Sequence, residues 1–145
     1  TVIVGLATVA GIQAFEQGQT RANQDALTST AVKIASDVQA RIKEPSQFGG
    51  YDGNIGTADG SITLEELGYK TNGDDDYETS DGTCFFVKGG GGSSSSFTTA
   101  PTGSYAKISS PTIEVGCESD DNAVKAGIAG TDSGDIETIS DVVGS

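Results

Sequence analysis

The chain opens on an apolar run and turns amphipathic after it. In TVIVGLATVAGIQAF ten of fifteen residues are apolar, and the first charged side chain is Glu16. From residue 22 onward apolar positions recur at Ala22, Ala26, Leu27, Ala31, Ile34, Ala35, Val38 and Ile42. These steps of three and four mark one stripe of a 3.6-residue helix, with Lys33, Asp37, Arg41 and Glu44 between them. No proline precedes Pro45, so nothing breaks the pattern. It predicts a single helix over residues 1 to about 43, some 60–65 Å long at about 1.5 Å per residue. The 101 residues after Glu44 are too few to cover a rod of that length, so its apolar half is expected to protrude while its amphipathic half packs on a head.

After Pro45 the period shortens. TCFFVK (83–88), GSYAKIS (103–109) and PTIEVGC (111–117) are rich in β-branched and aromatic residues and are bounded by Gly, Pro and Ser, which predicts strands. ITLEELGYK (62–70) reads as a short helical turn, and TNGDDDYETSDG as a charged turn. The tail from Glu118 reads as loop with one late edge strand, IETISDVV. The expectation is an α+β fold: a long N-terminal helix over residues 1–44, and an acidic head over 45–145 built on a small antiparallel sheet. The expected core is Phe85, Val87, Tyr105, Ile108, Ile113 and Val115.

Charge separates the same two parts. Residues 1–44 hold four acidic and four basic groups. The remaining 17 acidic and four basic groups lie after Pro45 and account for the whole net charge of −13. An isoelectric point near 4.1 argues against binding to a phosphate backbone, and no nucleic-acid partner is expected. Without histidine there is no imidazole base and no Ser-His or Cys-His pair. GGGGSSSS lacks the lysine of a phosphate-binding loop. TADGSITLEE matches part of an EF-hand loop through Asp59, Gly60, Ile62 and Glu66, but Ile55 would stand at its opening carboxylate position. No catalytic residue, cofactor or metal site is expected.

Cys84 and Cys117 are the only cysteines. In a cell-surface chain an even pair reads as a disulfide. The stretch GGGGSSSSFTT (89–99) is low-complexity and reads as a flexible excursion. Ser93, Ser94, Ser95, Ser96, Thr98 and Thr99 form a candidate O-glycan acceptor tract within it.

A protruding apolar helix needs a non-aqueous partner. About 15 apolar residues fall short of the ~20 that span a bilayer, and the basic region of a signal peptide is missing. Gly5, Ala7, Ala10, Gly11 and Ala14 are small residues that allow helices to approach closely. The favoured expectation is self-packing after a membrane stage, with the packed helix segment carrying Val2, Ile3, Val4, Leu6, Val9, Ile12 and Phe15.

The apolar run, followed by AFEQGQTRANQDALTSTAVKIASDVQ, resembles the N-terminal helix of type IV pilins and their filament superfamily. The resemblance covers residues 1–44. It departs from the family at two positions, since Thr1 and Gly5 stand where an aromatic residue and a glutamate are usual. It implies a chain that begins directly on its apolar run once a leader is removed. It also implies insertion in the inner membrane before assembly, and then a homo-oligomeric helical filament outside the cell, at the surface. The alternatives are a pseudopilin of a type II-like secretion system and a monomeric, membrane-anchored surface binding module.

Overall fold

A computed structural model describes residues 18–92 and 96–142 in full, and the backbone of residues 2–17. The helix α1 runs Val2–Lys43. Its end follows from sequence: Arg41 and Lys43 occupy the last turn, where cations favour the helix dipole, and Pro45 disfavours helical geometry in the residue before it. Two amides from the following loop close the free carbonyls, Gly53 N–H donating to Ile42 O at 2.7 Å and Asp52 N–H to Glu44 O at 2.9 Å.

Among the described residues five antiparallel strands follow: β1 (Tyr77–Glu78), β2 (Thr83–Lys88), β3 (Ile113–Glu118), β4 (Asn122–Ile128) and β5 (Ile136–Val142). Their order in the sheet is their order in the chain. Residues 44–76 connect α1 to β1 and contain a 3-10 turn (Ser46–Phe48) and one α-helical turn, α2 (Ile55–Ala58), capped by the Asn54 side chain.

The core lies between α1 and one face of the sheet. Leu27, Ala31, Ile34, Ala35, Val38 and Ile42 meet Cys84, Phe86, Ile113, Val115, Cys117, Val124, Ala126 and Ile128, with Ala58, Ile62 and Leu64 closing the side. Of the expected helix stripe, Ala22 is exposed and Ala26 half-buried, because the sheet ends beside Asn23.

The other face of the sheet is covered too. Residues 97–110 form no strand but cross this face as a strap. The Phe97 ring meets Phe85 edge-on at 5.1 Å and lies over Gly116, where a Cβ would fall 2.5 Å from it. Tyr105 lies over Gly127, with 2.7 Å left for a Cβ. Glycine at these two positions is what lets the rings approach the sheet.

Several expectations are corrected here. GSYAKIS is part of the strap, so Tyr105 is half-buried outside the main core. Val87 stands where the β2–β3 register shifts between Phe86 and Lys88 and is 40% exposed. Its place in the core belongs to Phe86, 1% exposed. Residues 62–70 form successive turns rather than a helix. The tail carries two strands, β4 having been read as loop.

Candidate functional site

The head grips α1 at three levels. At the first, the β1–β2 and β3–β4 turns dock on the helix through amides, a carbonyl and a hydroxyl. Asn23 Nδ2–H donates to Asp81 O at 2.8 Å, while its Oδ1 accepts from Ser119 Oγ–H at 2.6 Å and from Asn122 Nδ2–H at 2.8 Å. Asn122 Nδ2–H also donates to Thr20 O at 3.0 Å. Asn122 is fully buried, and its Oδ1 accepts no hydrogen bond from the described residues. Removing Asn23 strips partners from buried groups. Asn23→Ala is therefore expected to lower stability by about 2–3 kcal/mol, read as a shift of the urea midpoint at constant slope. A shift below ~0.5 kcal/mol would show the cluster to be energetically idle.

At the middle level Gln39 Nε2–H donates to Gly130 O at 2.9 Å and Asp132 O at 2.8 Å, holding the β4–β5 connection. The Tyr69 hydroxyl donates to Asp37, and Lys33 Nζ lies 5.7 Å from the centre of the same ring. Burial, reinforced by the Asp37 carboxylate, pushes the Tyr69 hydroxyl well above the ordinary tyrosine range.

At the last level Arg41 binds Glu66 and Glu44, each at 2.8 Å. Its hydrogen bond to Glu66 is the main cause that raises the guanidinium above its usual value. Tyr51 O–H donates to the same Glu66 carboxylate at 3.1 Å. Burial first, then Glu66, pushes Tyr51 up to about 12.

These contacts decide the sequence-derived candidates. Glu66, the last position of the EF-hand-like stretch, is committed to Arg41 and Tyr51. Asp59 is exposed, and Ile55 starts the helical turn α2. The acidic run 74–76 is folded inward in part: the buried Asp75 carboxylate accepts from Leu64 N–H at 3.0 Å and Glu65 N–H at 3.3 Å. Among the described residues no three carboxylate or thiolate side chains converge in a metal-binding arrangement.

Cys84 and Cys117 are joined in a disulfide. They are register partners on β2 and β3, 4.0 Å apart at Cα, and both are fully buried. Of the candidate glycan acceptors, Ser96, Thr98 and Thr99 are exposed, while Ser93, Ser94 and Ser95 lie outside the described residues. The side chains of Val2, Ile3, Val4, Leu6, Val9, Ile12 and Phe15 also lie outside them. Among the described residues no helix is long and apolar enough to cross a membrane.

Sequence reasoning missed the amide cluster at the β3–β4 turn. Its members are up to 102 residues apart, and the one local signal was an Asn-containing turn, SDDN. An open groove of about 540 Å³ lies beside this turn. Glu78, Asp81, Glu118 and Asp120 line it together with the hydroxyls of Thr79, Ser80, Thr83, Thr98, Thr99 and Ser119. No family model, curated protein or solved structure matches the chain.

Proposed function

We propose that this chain is a structural subunit of an extracellular filament of the type IV pilus kind, polymerising through the apolar first part of α1 while the acidic head faces outward. One observation carries the reading. α1 is a single helix of 42 residues, about 63 Å long, and among the described residues its fully buried positions run from Leu27 to Ile42, about 23 Å of it. The described head contacts nearest its start are made by Thr20 and Asn23. The most apolar stretch of the chain precedes Gly18, and on this reading its natural cover is the same stretch of neighbouring copies. The small residues Gly5, Ala7, Ala10, Gly11 and Ala14 suit that packing.

On this reading the subunit passes through the inner membrane before assembly and ends at the cell surface. Its work belongs to the polymer. A net charge of −13, carried by the heads, keeps filaments from clumping laterally through mutual repulsion.

The test compares two chains without detergent. The full chain is expected to form fibres visible by negative stain. A chain that starts at Gly18, with residues 1–17 removed, is expected to be soluble and monomeric by light scattering while keeping the circular dichroism of the folded head. The cut is placed there because Thr20 and Asn23 hold the β3–β4 turn. Fibres from the shortened chain, or a full chain that stays single, would overturn the proposal. A monomeric full chain that binds detergent micelles would support the anchored module instead.

A further inference from the structure

The strap over the outer face of the sheet is held in an unusual way. Among the described residues, every hydrogen bond between residues 97–110 and the strands ends on a carboxylate. Thr98 donates to Glu118 through N–H at 2.9 Å and through its hydroxyl at 3.4 Å. Thr102 donates to Asp141 through its hydroxyl at 2.8 Å and its N–H at 3.3 Å. Three successive amides, of Ala106, Lys107 and Ile108, converge on Glu137 at 2.7, 2.7 and 3.0 Å. Tyr105 O–H donates to Glu114 at 3.1 Å. No backbone-to-backbone bond ties these residues to the sheet among those described. The strap is also attached by the packing of Phe97 on Phe85 and of Tyr105 on Gly127, by Lys125 Nζ 5.4 Å from the centre of the Tyr105 ring, and by the buried side chains of Pro101 and Ile108.

An ionised carboxylate accepts several N–H groups at once, whereas a protonated one becomes a donor and loses acceptor strength. We propose that residues 97–110 are an acid-released strap, closed at neutral pH by Glu118, Glu137 and Asp141 and lifted from the sheet when these are protonated, with helix, sheet and disulfide intact beneath it. The proposal concerns the head alone and is independent of the filament reading.

The surroundings of Glu137 and Asp141 agree with a transition in acid. Burial pushes Glu137 upward, but the amides of Ala106, Lys107 and Ile108 and the charge of Lys107 outweigh it and hold the group below the ordinary glutamate range. Tyr105 also faces Glu137 from the strap. From α1 only the uncharged Val32, Ser36 and Gln39 border the same groove. Asp141 is held below the aspartate range by the Thr102 hydroxyl and amide, with a further contribution from the Val142 amide against burial. Glu118 shares its groove with Glu78, Asp81 and Asp120. Glu114, the fourth acceptor, is also paired with Lys125 at 3.3 Å. For groups depressed in the folded state, the stabilisation is complete above the ordinary carboxylate range and is lost as pH falls through the folded values. The strap is therefore closed at neutral pH and opens in acid.

The experiment is amide hydrogen exchange on the full chain, expressed as protection factors, between pH 7 and about pH 3. The expected result is that Ala106, Lys107 and Ile108 lose at least about tenfold protection at a pH where β3 and β4 keep theirs. Dye binding to the uncovered Phe85 face should rise in step. Glu137→Gln should produce a comparable loss at neutral pH, and Asp59→Asn, an exposed carboxylate away from the strap, should not. If the strap amides stay protected until the strands open, or if Glu137→Gln leaves their exchange unchanged, the proposal is wrong. The unsubstituted chain's own pH series decides the matter should the variant fail to fold.

Discussion

Replacing Cys84 and Cys117 together by alanine is expected to lower the stability of the head by about 3.5–4 kcal/mol. The bond closes a loop with a sequence separation of 33, and the chain-entropy relation gives that figure for a loop of this length. Three features raise the stakes. The bond joins β2 to β3 at directly opposed positions, and it belongs to the buried core that the sheet shares with α1. The loop it closes contains the strap, which has no strand pairing of its own. Both sulfurs are fully buried, so alanine also leaves unfilled space, which adds to the cost. Thermal unfolding followed by circular dichroism should show a fall of roughly 10–20 °C for a domain of this size. Reduction of the unsubstituted chain should come close to the same value. A fall of less than ~3 °C would mean that the β2–β3 ladder and the helix hold the head by themselves.

How much of this was legible follows from where each element gets its stability. α1 was readable because its buried face repeats at the helical period, and β2 and β3 because their residues are β-branched or aromatic and end at Gly, Ser or Pro. β4 was not. Its sequence NAVKAGI is rich in Ala and Gly, which favour strands poorly. It is a strand because it pairs on both sides and lies beneath α1, where small Ala126 allows close approach. The strap was misread for the opposite reason. Tyr105 and Ile108 sit in a stretch with strand-like composition, but its amides bond to a Glu137 side chain about 30 residues away, which no local pattern announces. The acidic residues of the head carried no local sign of a structural role, yet Glu66, Asp75, Glu118, Glu137 and Asp141 all accept hydrogen bonds that tie its parts together. The disulfide was legible from two cysteines alone.

The clearest misreading was one of parity, and it yields the other large effect. In TCFFVK two phenylalanines stand side by side, so alternation alone cannot say which faces the helix. The sequence suggested Phe85 with Val87. The structure turns Phe86 toward α1, in register with Val115, and places Phe85 under the strap against Phe97. Both rings are buried because both faces are covered, which removes the polar signal that normally marks the outer side. Phe86→Ala is accordingly expected to cost about 3–5 kcal/mol, the range for emptying a buried aromatic site. Val87→Ala, at the register shift and 40% exposed, should stay within about 1 kcal/mol. Urea unfolding of the two variants measures the contrast directly. If Val87→Ala proved the costlier of the two, β2 would present its other face to the helix, and the strap that lies on Phe85 would have to be placed anew.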